Sequence, residues 1–219
     1  MDQKCVVRRS RPIYPTIEVE TSLSAEGWTV VAGLDEAGRG PWAGPVYAAA
    51  VILPEEPEKL AALSSVRDSK TLSAGQRARC FATIVENTRA FGVGAGTVDE
   101  IDKLGIVPAT RLAMQRALAA LDIRPEALIL DAIRLPDVPL PQRAFPRADS
   151  TCLSVAAAGV VAKVSRDRWM VEVAEVEYPG YGFAQHKGYG TRMHAAALDR
   201  IGVCPIHRRS FRPIATRVT

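Results

Sequence analysis

No two cysteines in this chain stand in a C-x-x-C spacing, and no apolar run approaches the ~18 residues that a membrane-spanning helix needs. Cys5, Cys80, Cys152 and Cys204 are scattered, which argues against zinc-site spacing and against a disulfide framework. They read as small core or surface residues in a reducing compartment. The opening MDQKCVVRRSRP is basic but lacks the apolar stretch of a signal peptide, so the expectation is a cytoplasmic protein with no membrane partner. Internal repeats and low-complexity blocks are absent. Lysine is scarce, six against 22 arginines. Arginine's planar fork suits phosphate, yet a biased base composition in the genome gives the same skew, so the ratio alone decides nothing.

What is there is an ordinary soluble composition, 47% hydrophobic and 24% charged over 219 residues. That length makes one domain with at most a small appendage. The net charge is +4 and the isoelectric point about 9.0. The excess sits at the ends: Lys4, Arg8, Arg9 and Arg11 against Asp2, and Arg200, Arg208, Arg209, Arg212 and Arg217 with no acid from residue 200 onward. Basic ends over a near-neutral middle suit a polyanionic partner.

Along the chain, Thr16 to Gly27 reads as a short helix, and Trp28 to Leu34 as a central strand. Gly38 to Pro45 is a glycine- and proline-rich turn into a second strand, Val46 to Leu53, hairpin-paired with the first. Ser73 is a plausible N-cap for a helix to Asn87. Ala90 to Val98 is a third strand. Its Gly92, Gly94 and Gly96 have the wrong spacing for a dinucleotide fingerprint. Asp99 to Leu121 is helical with a break or kink at Pro108. Ala127 to Asp131 is a short buried strand, and Ser150 to Glu177 a long helix inside the protein. A glycine- and aromatic-rich loop, a helix over Met193 to Ile201 and the basic tail complete an α/β layer with a mixed sheet.

The segment GLDEAGRGP sets Asp35 beside Glu36, and adjacent buried acids need a positive partner. Each acid alone has a bland reading: Asp35 and Glu36 as solvated turn charges, Asp131 as a turn former, Asp149 as a helix N-cap. Taken together, four carboxylates from three segments converge at strand ends and a helix start, where ligands of layered α/β sheets gather. With no histidine or cysteine among them, oxygen-only ligation suits Mg²⁺ or Mn²⁺. Two such ions form the clamp for in-line displacement at phosphorus.

These residues lie in blocks that resemble ribonuclease HII: GLDEAGRGPWAGPVYAAAVILP, DSKTLS, EIDKLGIVPATRLAMQRA, LILDAIRLP, ADSTCLSVAAAGVVAKVSRDR, YPGYGFAQHKGYGTRMH and CPIHRRSF. The resemblance implies an α/β ribonuclease H-like fold, a mixed central sheet flanked by helices, with a small helical C-terminal lobe. It divides the chain into a basic arm and short helix (1–27), a catalytic core (28–177), and a substrate-binding loop with the lobe (178–219). The implied enzyme is a two-metal-ion endonuclease, monomeric. It would cut the RNA strand of RNA/DNA hybrids and nick DNA at embedded ribonucleotides, leaving 3′-hydroxyl and 5′-phosphate. Carried over by position, the catalytic and metal-binding acids are Asp35, Glu36, Asp131 and Asp149. The substrate contacts are Gly38, Arg39 and Gly40 on the backbone at the RNA–DNA junction, Ser69 and Lys70 against phosphates, and Tyr189 on the sugar, with Tyr181 as the alternative. Arg39 is otherwise a structural partner for the acids.

The sequence departs from the family pattern in three places. Gly105 stands where Asn is common, Gly159 where Ser is usual (read as a packing change), and Arg147-Ala148 precede Asp149 where a Gly-Asp pair is typical. His186 and His207 fall in matching blocks, and neither is assigned a role. The sister ribonuclease HIII would carry a sizeable N-terminal substrate-binding domain and a glutamate as fourth acid. Here 27 residues precede the first expected strand, and residue 149 is Asp.

Overall fold

The structure, a computed structural model, describes residues 14–217. Lys4, Cys5, Arg8, Arg9 and Arg11 of the basic arm lie outside the described residues. Helix α1 (Glu18–Ala25) is capped by Glu26, and Gly27, φ 100°, turns the chain away. Strands β1 (Val31–Ala37) and β2 (Val46–Ile52) form an antiparallel hairpin. Helix α2 (Pro57–Ala62) and helix α3 (Ala74–Asn87) follow. The Ser73 hydroxyl accepts from the Gln76 N–H while the Gln76 side chain accepts from the Ser73 N–H, so the expected cap is a full capping box.

Strand β3 (Ala90–Gly96) pairs antiparallel with β2, and its glycines now have a physical reason. A Cβ on Gly92, Gly94 or Gly96 would meet the carbonyl oxygen of Ala117, Ala113 or Ala109 at 2.2, 2.2 and 2.5 Å. The bare strand lets the next long helix pack directly on it. Thr97 leaves the strand to cap α4 (Val98–Leu104), which is why β3 stops short of Val98. The expected break at Pro108 falls instead at Gly105, φ 87°, between α4 and α5 (Ile106–Ala119). Pro108 sits in the first turn of α5, where a missing N–H costs nothing.

Strand β4 (Ala127–Asp131) lies parallel to β1, and β5 (Gln142–Phe145) parallel to β4 at the sheet edge. The mixed sheet has the order β3-β2-β1-β4-β5. The helix expected over Ser150 to Glu177 is interrupted. A 3₁₀ turn (Ala148–Ser150) precedes α6 (Leu153–Trp169), which passes through a π-helical turn (Met170–Ala174) into α7 (Glu175–Glu177). Asp149 therefore does not cap α6. Glu20 of α1 does so from a distance, its Oε1 accepting from the Ser154 N–H at 3.0 Å.

The first strand also differs from the expectation. It begins at Val31, not Trp28, and continues past both acids, because pairing with β2 persists through Asp35↔Ala49, Glu36↔Ala48 and Ala37↔Tyr47. Leu34 and Ala32 pack with α5 on one face, while α3 and the apolar α6 cover the other. Helices α8 (Phe183–His186), α9 (Arg192–Ile201) and α10 (Arg212–Ala215) make the small C-terminal lobe around Tyr181, Phe183 and Leu198. Among the described residues no helix is long and apolar enough to cross a membrane.

Candidate active site

Successive side chains on β1 face opposite sides of the sheet. Asp35 turns toward α6 and is 5% exposed. Its Oδ1 accepts from the Glu36 N–H at 2.7 Å. A Cβ on residue 159 would meet Asp35 Oδ2 at 2.3 Å, so Gly159 provides the recess in which the carboxylate sits. Reading Gly159 as a packing change only is thus corrected. Burial first, and the Glu36 charge second, hold the Asp35 carboxyl well above the ordinary carboxylate range.

Glu36 Oε1 pairs with Arg39 Nη1 at 3.2 Å, while Oε2 is buried with no partner among the described residues. Burial raises its pKa against the opposing pull of Arg39. Asp131 ends β4, and since Leu34 pairs with Leu130, it lies level with Asp35 on the neighbouring strand. Its Oδ1 accepts from the Ala148 N–H at 3.1 Å. Burial and then the charge of Asp149 raise its pKa. Asp149, 6% exposed in the 3₁₀ turn, accepts from Lys70 Nζ at 3.2 Å.

Backbone strain collects at this edge. The non-glycine residues with positive φ among those described are Ala132, Arg147 and Lys187. They fall one residue after Asp131, two before Asp149 and two before Tyr189.

A cavity of about 560 Å³ gathers most of the expected residues: Asp35, Glu36, Asp131, Gly38 to Gly40, Ser69, Lys70 and Tyr189. Asp149 reaches it through Lys70. The two tyrosines separate cleanly. Tyr189 is 41% exposed on the cavity wall, whereas Tyr181 is 6% exposed in the lobe core with its hydroxyl donating to Gly202 O at 2.9 Å. What the acids do not form is a closed cage. Among the described residues, no three His, Cys, Asp or Glu side chains stand grouped to hold a metal ion. Arg39 and Lys70 each draw one carboxylate to their own side. The donor chemistry fits a hard divalent cation nonetheless: carboxylate oxygens only, the pKa values of Asp35, Glu36 and Asp131 raised by burial and then by neighbouring acids, and an orphaned Glu36 Oε2.

Three cations at the site were not singled out from the sequence. Lys163 lines the cavity, pairs with Asp167 at 2.7 Å and lies 5.6 Å from the Tyr189 ring centre. Arg166 and Arg208 are fully buried. Arg208, although it belongs to the basic tail, is not a surface charge. For Lys163 and Arg166 the available signal was a cation at i and i+3 following a run of small apolar residues. His186, His194 and His207 are buried together in the lobe. Burial takes His194 and His207 down to about 4, so both are neutral at physiological pH. His194 Nδ1 lies 3.0 Å from the Tyr189 carbonyl oxygen and supports that loop from within.

The ribonuclease HII family profile matches residues 32–214. A ribonuclease HII of Chloroflexus aurantiacus is 51% identical over 205 residues, covering 92% of this chain and 95% of that protein. One of Dehalococcoides mccartyi is 48% identical over 202 residues, covering 92% and 94%. Among solved structures, the ribonuclease H2 of Pyrococcus horikoshii superposes with a TM-score of 0.68 at 28% identity, over 85% of this chain and 95% of that one. Bst-RNase HIII in complex with Mn²⁺ shares the fold at a TM-score of 0.60 and 20% identity, over 86% and 69%.

Proposed function

The chain belongs to the ribonuclease HII family, hydrolases with ribonuclease H activity, and from that premise we propose how it acts. It cuts the RNA strand of RNA/DNA hybrids and nicks DNA at single embedded ribonucleotides, leaving 3′-hydroxyl and 5′-phosphate ends. The observation that carries this reading is the single cavity walled by Asp35, Glu36 and Asp131, with Asp149 tethered to its Lys70 rim.

Asp35, Glu36, Asp131 and Asp149 would hold two divalent ions, Mg²⁺ or Mn²⁺. Bound there, such ions supply an activated water nucleophile and stabilise the leaving oxygen at phosphorus. The chain's own groups do the rest. Burial of Asp35 and Glu36 keeps bulk water from screening their charge. Lys70 and Ser69 lie against the substrate phosphates, and Gly38 and Gly40, lacking Cβ atoms on either side of Arg39, let this backbone approach the sugar-phosphate at the junction. Tyr189 stacks on the ribose and helps sense the 2′-hydroxyl, the group that tells RNA from DNA without reading a base.

A hybrid-binding protein that has lost its chemistry is the alternative, and it would be expected to lack at least one of the four acids. The test is a nicking assay on a duplex holding one ribonucleotide, with Mg²⁺ or Mn²⁺ against chelator. Metal-dependent nicking at the ribonucleotide, leaving 3′-hydroxyl and 5′-phosphate ends, is expected. Binding without cleavage in either metal overturns the enzymatic reading.

A further inference from the structure

A buried guanidinium is normally paired with a carboxylate, and Arg166 and Arg208 are not. Both are 0% exposed, and no ion pair joins either to an acid among the described residues. Their donors go to backbone carbonyls instead. Arg208 donates to Gly38 O at 2.6 Å, Arg39 O at 2.9 Å and Gly44 O at 2.9 Å. Arg166 donates to Ala43 O and Lys187 O at 3.0 Å and Pro45 O at 2.9 Å. Two cations with no carboxylate in contact thus lie close together beneath the loop that forms one wall of the cavity. Gly38, φ 94°, is pressed onto Arg166: a Cβ there would meet its Nε at 2.0 Å.

The consequence follows from peptide geometry. In a trans peptide the carbonyl of one residue and the N–H of the next point in opposite directions, and the described residues contain no cis bond. With the carbonyls of Gly38 and Arg39 drawn inward to Arg208, the N–H groups of Arg39 and Gly40 point away from it. Both residues are exposed and line the cavity, and neither N–H donates to another described group. Adjacent outward amides over a positive base make an anion seat. What would complete the charge is a phosphate.

We propose that Arg208, supported by Arg166, is a positioning residue. It holds the Gly38–Gly40 backbone with its amides outward, and through them sets the grip on a phosphate flanking the scissile one. This rests on the reading of the protein as a nuclease acting on ribonucleotide-containing duplexes.

The experiment measures kcat and KM on single-ribonucleotide duplexes in which the phosphates flanking the scissile one are replaced, one at a time, by neutral methylphosphonate. Wild-type protein and Arg208→Lys are compared, since lysine keeps the charge but cannot hold three carbonyls in one fork. In the wild type, one position is expected to lose about tenfold in kcat/KM, the size of one charge-assisted hydrogen bond. In Arg208→Lys that loss shrinks to under about threefold, with the fully charged substrate already weakened in KM. A role in stability alone lowers the active fraction, and hence kcat, while the methylphosphonate loss stays the same. That result, or no loss at any position in the wild type, overturns the proposal. Amide exchange on the wild-type protein gives a test that needs no variant. Arg39 and Gly40 N–H groups exchange fast in the free protein and slow when the duplex binds, and protection already present in the free protein overturns it too. If the wild type does not cleave the all-phosphate duplex at all, it is the nuclease reading that fails.

Discussion

Replacing Asp35 by Asn is expected to stabilise the protein while destroying its activity. The carboxylate is 95% removed from solvent and stands beside Glu36, with Asp131 and Asp149 adding repulsion. Its folded pKa is raised above the unfolded one. Its favourable contribution is therefore complete below the ordinary carboxylate pKa of about 4 and is lost as pH rises through the raised value. Across that window the wild type loses about 1.4 kcal/mol per pH unit from this group, and above it the loss is constant. Asn escapes the loss and still accepts the Glu36 N–H through its amide oxygen. The net gain should be about 1–2 kcal/mol at neutral pH, the usual size when a strained functional group is removed. Urea denaturation in chelator, run at neutral pH and below pH 4, measures it: the advantage is present in the first and absent in the second. Divalent metal should reverse the order. A ligand at a hundred times its Kd adds about 2.7 kcal/mol to the wild type and less to the variant. Cleavage should fall about a thousandfold or more, since several kcal/mol of transition-state stabilisation go with a metal ligand. A variant less stable than wild type in chelator at neutral pH would show Asp35 to be a structural partner and refute the reasoning.

Other outcomes follow from the same geometry. With Asp35, Glu36 and Asp131 all raised by burial, the acid limb of the pH–rate profile should lie above the ordinary carboxylate range, and metal affinity should fall with it as pH is lowered; a limb at about pH 4 contradicts this. Tyr189→Ala should lower cleavage at a single ribonucleotide by about tenfold or more without moving the melting temperature, because the ring is on the cavity wall. Tyr181→Phe should do the reverse, losing about 1 kcal/mol with its bond to Gly202 and leaving junction cleavage unchanged. Gly94→Ala should cost about 2 kcal/mol by driving a methyl against the Ala113 carbonyl at 2.2 Å, read as a shift in the urea midpoint.

Much of this site was legible along the chain because its signals are local. Asp131 follows four buried apolar residues, and Ser73 stands three before Gln76, so a strand end and a helix cap could be placed without any tertiary contact. Strand β5 was missed because Gln142 to Phe145 is short, at the edge and without alternation, and only pairing to β4 makes it a strand. The run of β1 past Asp35 and Glu36 was missed for a related reason. Charge at a strand end looks like a turn until the partner's register is known. Arg166 and Arg208 were the deepest omission. Arginine reads as solvated from sequence, and here its burial is decided by carbonyls as many as 170 residues away.

Anomalous diffraction from crystals soaked in Mn²⁺ tests the central claim most directly. The account predicts a peak bounded by carboxylate oxygens of Asp35 and Glu36 together with Asp131 or Asp149, with Lys70 or Arg39 drawn off its acid. Manganese held elsewhere, with Asp131 and Asp149 both left out of its coordination, would contradict it.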